Sequence, residues 1–237
     1  MVNIGLPRIK PGVSPTYARC FSGRHRHMEL AQKLADGLAG LQIDLPQGAQ
    51  EKLLAYLDLL AHWNRAYNLT AVRDRGEMIP RHVLDSLAVL PFVQGESLAD
   101  IGSGAGLPGI PLAIARPGLA VTLVESNGKK ARFLREAVRA LPLSNVAVEQ
   151  VRVQDATGSF DTITARAFSS LADMLAWGGH LLADEGRWLA LKGRVDPDEI
   201  AGVPDEFRVV AVRQVRVPGT EADRCVIELA RSSSRNG

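Results

Sequence analysis

The sequence predicts an α/β fold: a mostly parallel seven-stranded sheet with helices on both faces, an antiparallel hairpin at one edge and a helical extension in front. Three observations carry this. From Ser97 onward, short apolar runs alternate with helical stretches, the pattern of a parallel sheet. A glycine-rich turn, Gly102 to Gly109, follows the first of these runs. The last two strand-like runs are joined without an intervening helix, which calls for antiparallel pairing.

The 237 residues suit one domain with a small extension, and 46% of them are apolar, enough for a sizeable core. No run approaches the ~18 apolar residues of a membrane span. The two cysteines, Cys20 and Cys225, lack metal-ligand spacing, so a reducing, cytoplasmic setting is expected and no metal site. The net charge of +2 hides an asymmetry: residues 1–28 carry five cations and no acid, leaving −3 for the rest. RNA or DNA contact therefore has to rest on local clusters.

Residues 1–27 show no helical or strand period and contain Pro7, Pro11 and Pro15, so they read as a disordered tail or an over-extended start. Helical spacing begins at Met28, with Leu30, Leu34 and Leu38 on one face. A second helix follows Pro46 and carries Leu53, Leu57 and Leu60 up to Trp63, where an amide-rich turn, WNRAYNLT (63–70), is expected. Asn64 and Asn68 should satisfy its backbone. A third helix is expected over Glu77 to Leu90; together these form an extension over 28–93. Then come strands at 98–101, 120–125, 145–151, 161–167, 186–193, 206–217 and 224–231. Helices fill 107–115, 127–140, 170–182 and 196–201.

The turn contains G-x-G-x-x-G at Gly104, Gly106 and Gly109, a dinucleotide fingerprint, and Glu125 ends the second strand, where a carboxylate binds a ribose diol. Asp100 divides the readings. Beside a pyrophosphate it costs about 1 kcal/mol or more; beside the ammonium and sulfonium of S-adenosylmethionine it is favourable. A third reading makes the glycines a tight turn and Asp100 a helix cap. An NAD(P)-dependent oxidoreductase and a non-catalytic ribosome-assembly protein stay open as alternatives.

The motifs WNRAYNLT (63–70), RHVLDSL (81–87), DIGSGAGLPGIPLAI (100–114), VESNGKKARFLR (124–135), ARAFSSL (165–171) and ALKG (190–193) occur in one order. Through them, residues 28–231 resemble the RsmG (GidB) family of 16S ribosomal RNA guanine-N7 methyltransferases. The resemblance implies a Rossmann-like class I methyltransferase fold. S-adenosylmethionine would be the donor and a guanine in the decoding-region loop of 16S rRNA, guanine 527, the target, on free RNA or the small ribosomal subunit. It implies a cofactor pocket including Gly102, Leu107, Glu125, Val153, Gln154 and Arg166, to which the loop adds Asp100, Gly104 and Ser126. Many relatives carry an acid where this chain has Gln154.

Guanine N7 has a lone pair and no proton to lose, so positioning suffices and no catalytic base is expected. Arg166 is a candidate donor to guanine O6 or a phosphate, and Phe168 a candidate packing partner for the base. Lys129, Lys130, Arg132, Arg135 and Arg139 form a basic cluster expected to meet RNA, with Lys192 as a further phosphate contact. A second patch is expected from Arg65, Arg73, Arg75 and Arg81. His82 and Asp85 lack the further ligands a metal needs, so structural hydrogen bonding is expected. A monomer is expected.

Overall fold

Seven strands pair in the order β3-β2-β1-β4-β5-β7-β6. The computed structural model describes residues 15–166 and 170–232, with side chains from Arg26 onward. The strands are β1 (Ser97–Ile101), β2 (Ala120–Val124), β3 (Val146–Glu149), β4 (Phe160–Arg166), β5 (Leu182–Lys192), β6 (Phe207–Gln214) and β7 (Cys225–Arg231). β1 to β5 are parallel, whereas β7 runs antiparallel between β5 and β6. The chain reverses direction in the order between β1 and β4, and there the carboxyl ends open a crevice for ligands.

Strand parity sorts the core into two layers. Leu98, Leu123 and Leu189 face one apolar cluster; Ile101, Ile163, Trp188 and Ala190 face the other. The second layer is closed by α7 (Leu171–Gly178) and α8 (Pro197–Ala201), with Trp188 Nε1 donating to Met174 Sδ at 3.2 Å. The first is closed by α5 (Gly109–Ala115) and α6 (Gly128–Ala140) together with the N-terminal helices α1 (Pro15–Leu41) and α2 (Ala49–Tyr67). The stripe Leu30, Leu34, Leu38 and the stripe Leu53, Leu57, Leu60 are buried in that one cluster.

The extension departs from the sequence reading in three places. Helix α1 starts at Pro15 rather than Met28. Proline fits the first turn of a helix, where its missing N–H is no loss, so Pro15 is no breaker here; Pro7 and Pro11 lie outside the described residues. Helix α2 continues through Trp63 to Tyr67, so the amide-rich stretch is its last turn and cap. Asn68 takes the left-handed conformation there, with φ 49°. Asn64, buried, donates to Val72 O and accepts from Thr70 N, satisfying the loop backbone as expected. The third helix is α3 (Arg75–Met78), a π-helical turn over Ile79–Leu84 containing Pro80, and α4 (Asp85–Leu87). Pro80 has no N–H to offer an α-helical ladder. No helix among the described residues is long and apolar enough to cross a membrane.

Candidate cofactor and RNA site

The loop after β1 turns back on itself through three left-handed glycines: Gly102 (φ 65°), Gly104 (φ 58°) and Gly106 (φ 84°). Side chains rarely adopt such angles. Gly102 N and Ser103 N donate to Val124 O, which ties the turn to the end of β2. A Cβ on Gly106 would overlap Ile110 and press on Leu134, so the loop seats directly on α5 and α6. From the other side, the buried Tyr56 hydroxyl of α2 donates to Ala105 O at 2.6 Å. The N-terminal extension therefore holds the loop in shape, a link with no signal in the sequence.

Glu125 is buried at the end of β2 and braces the open side of the loop. Its Oε2 accepts from Gly104 N at 2.9 Å and its Oε1 from Asn127 N at 2.8 Å. Each oxygen keeps one lone-pair direction for a further donor. Ser126 beside it is exposed. Val153 and Gln154 lie in a short 3-10 turn after β3, Gln154 exposed, on the same carboxyl edge. Leu107 is buried at the foot of the loop.

Asp100 is buried beneath the start of α5. Strand parity puts it on the face of Leu98, beneath α5. Its carboxylate accepts from Thr164 Oγ1 at 2.9 Å and from Gly109 N at 3.2 Å, at the first residue of α5. The bond from Gly109 N ties this carboxyl to the start of α5, the contact that the helix-cap reading calls for. Burial pushes its carboxyl up to about 7, against the lowering effects of those hydrogen bonds. The sign of the linkage follows. The folded protein keeps this proton after the unfolded chain has lost it, so the contribution to stability is complete below about 4 and lost as pH rises through about 7. Asp100→Asn is therefore expected to gain stability relative to the parent between pH 5 and pH 8. Denaturant unfolding at both pH values checks this; parallel curves would contradict it.

Arg166 ends β4, next to Ala165, which pairs with Ile101 just before Gly102. It is drawn toward the extension: Nη2 lies 3.3 Å from Asp85 Oδ2 and donates to Arg81 O at 3.4 Å. Asp85, buried, also accepts from Arg224 Nε at 2.6 Å. His82 Nδ1 donates to Arg81 O and its Nε2 bonds Thr70 Oγ1 at 2.8 Å; burial lowers its pKa. Structural hydrogen bonding is thus what His82 does. Phe168 lies outside the described residues.

The basic residues separate into two groups. Lys129, Arg132, Arg135 and Arg139 line one groove of about 980 Å³, and Trp63 and Tyr67 from the end of α2 line it too. The two rings stack at 5.1 Å between centroids. Helix α6 points this face outward because Phe133, Leu134 and Ala137 are buried on the opposite side. Arg135 bonds Gln150 and Arg139 pairs with Glu136 along the groove. In the expected second patch Arg75 pairs with Asp58, Arg81 with Glu77, and Arg73 bonds Asn68, while Arg65 is exposed. Lys192 is also engaged, pairing with Glu199 at 2.8 Å with its side chain 14% exposed. Cys225 lies closer to the carboxyl edge than its place in the hairpin suggests. It is buried, its Sγ donates to Lys192 O at 3.6 Å, and burial raises its pKa, so it is a thiol and a poor nucleophile.

The family model described as rRNA small subunit methyltransferase G matches residues 49–227. The chain belongs to that family. The match runs from the start of α2 through the glycine loop and the basic helix to the beginning of β7. Among individual relatives, the ribosomal RNA small subunit methyltransferase G of Xanthomonas campestris pv. campestris (strain B100) is 51% identical over 201 residues, covering 84% of this chain and 94% of that protein. The Neisseria meningitidis serogroup C enzyme of the same name is 45% identical over 206 residues, covering 86% and 100%. Among solved structures, TrmN from Thermus thermophilus superposes with a TM-score of 0.52 at 21% identity, covering 71% of this chain and 53% of that one. The mitomycin 7-O-methyltransferase MmcR gives 0.53 at 14% identity, covering 75% and 67%. These two show the fold, a Rossmann-like methyltransferase sheet. This family member carries its glycine loop, Glu125 and basic groove along one edge of that sheet.

Proposed function

We propose that the protein methylates small-subunit ribosomal RNA, transferring the methyl group of S-adenosylmethionine to N7 of a guanine, at position 527. The observation that carries this reading is the cradle of Gly102, Gly104 and Gly106 closed by Glu125, in a member of the rRNA small subunit methyltransferase G family. Such a cradle fits the donor. Its left-handed glycines let the backbone approach closely, and the free lone pairs of Glu125 suit a ribose diol. Val153 and Gln154, in the turn after β3, would flank an adenine, with the Gln154 amide oxygen accepting from its amino group. Asp100 serves indirectly, by fixing the start of α5.

The donor supplies an electrophilic methyl on a sulfonium. The N7 lone pair forms the new bond as the sulfur–carbon bond breaks, so no proton moves and no base is needed. What the protein contributes is alignment, from the loop and from the carboxyl edge of β4. The groove of α6 supports the RNA side of the reading: guanidinium groups suit phosphates, and the half-buried rings of Trp63 and Tyr67 that line it suit an unpaired base. Replacing Arg132, Arg135 and Arg139 by alanine is expected to weaken RNA binding and reduce its salt slope by up to about three. S-adenosylmethionine affinity should stay unchanged. Filter binding at several salt concentrations tests this, and an unchanged slope would remove the groove from the RNA path. Incorporation of labelled methyl groups into small-subunit RNA tests the reaction itself.

A further inference from the structure

A second cavity, of about 230 Å³, opens at the carboxyl ends of β4 and β5, across the switch point from the glycine loop. Four elements bring charge to its wall: Asp85, Arg166, Lys192 and Arg224; Val89 and Val226 are among its apolar residues. The charges alternate. Asp85 sits between Arg224 and Arg166, at 2.6 and 3.3 Å, and Glu199 holds Lys192. Each Asp85 oxygen makes one of these contacts and keeps a lone pair for another donor. The π-helical turn runs directly into Asp85, and such turns concentrate at functional sites.

We propose that this cavity takes the target guanine out of the RNA stack, with Asp85 accepting from its N1–H and N2–H and Arg166 donating to its O6. This rests on the reading of the protein as a guanine-N7 methyltransferase. Three arguments support it. A guanine in an RNA loop can be splayed out of the stack, and an enzyme acting on a base atom takes the base out in this way. A cavity of about 230 Å³ lined by both apolar and charged residues matches a single purine. Guanine also presents an acceptor beside two donors, the complement of a guanidinium beside a carboxylate, whereas adenine presents the reverse order. Arg166 belongs to both sites. It follows Ala165, whose partner Ile101 precedes Gly102, so the base pocket and the cofactor loop adjoin at the edge. Arg224 is a positioning residue, holding the Asp85 carboxylate.

The test compares guanine with inosine, which lacks only the N2 amino group. The protein saturated with S-adenosylhomocysteine is expected to bind guanosine 5′-monophosphate roughly ten- to a hundredfold more tightly than inosine 5′-monophosphate. RNA carrying guanine at the target should be methylated with a kcat/KM higher by a similar factor than RNA carrying inosine. Asp85→Asn should collapse that preference toward unity in protein saturated with S-adenosylhomocysteine or S-adenosylmethionine. A merely structural Asp85 would lower stability and slow both substrates equally, keeping the ratio, and that result overturns the proposal. Equal binding of the two nucleotides by the unaltered protein overturns it without any variant. Absence of methyl transfer to any RNA by the unaltered protein overturns the parent reading, and this assignment with it.

Discussion

Gly106→Val is expected to destroy S-adenosylmethionine binding and to destabilise the fold by several kcal/mol. Gly106 has φ 84°, where a side chain costs about 1–2 kcal/mol. Its Cβ would overlap Ile110 and crowd Leu134, both fully buried, and overpacking adds about 1–3 kcal/mol. The loop can escape only by lifting off α5 and α6, which breaks the Tyr56 bond to Ala105 O and moves Gly104 from Glu125. Titration calorimetry and denaturant unfolding read the two effects separately. Parent-like affinity would show that the loop does not hold the cofactor.

Glu125→Gln is the second large effect, and it acts through charge with almost no change of size. Both carboxylate oxygens accept from backbone N–H groups, Gly104 N and Asn127 N. An amide has one oxygen, so its NH2 must face one of those donors, and the loop loses a charge-assisted bond worth about 1.5–3 kcal/mol. The acceptor offered to a ribose diol is weakened at the same time. A fall in S-adenosylmethionine affinity of roughly a hundredfold is expected from these two losses, with thermal stability reduced less than in Gly106→Val. An affinity within a factor of about three of the parent would remove Glu125 from the cofactor contact.

The sheet was legible because each strand is a short apolar run bounded by turn residues, and because the helix-free link before residues 224–231 leaves only antiparallel pairing. The glycine loop and Glu125 were legible from spacing alone. The role of Asp100 was within reach. Positions 98 and 100 share a face, so Asp100 lies beneath the helix with Leu98. Other features had no local signal. Asp85 and Arg224 are 139 positions apart and meet only because β7 inserts beside β5. The Tyr56 bond to Ala105 O spans 49 positions. The acids beside the second set of arginines had no common signal: Glu77 is one helical turn from Arg81, but Asp58 reaches Arg75 from α2, whereas on α6 the apolar face is so well buried that the arginines share what remains.

The most direct measurement is methyl transfer from labelled S-adenosylmethionine to small-subunit RNA taken from cells lacking this protein, followed by nucleoside analysis, on naked RNA and on assembled subunits. Label in 7-methylguanosine, from at least one of the two substrates, is the predicted result. Label in any other nucleoside, or no incorporation by a protein that also fails to bind S-adenosylmethionine, would contradict the account.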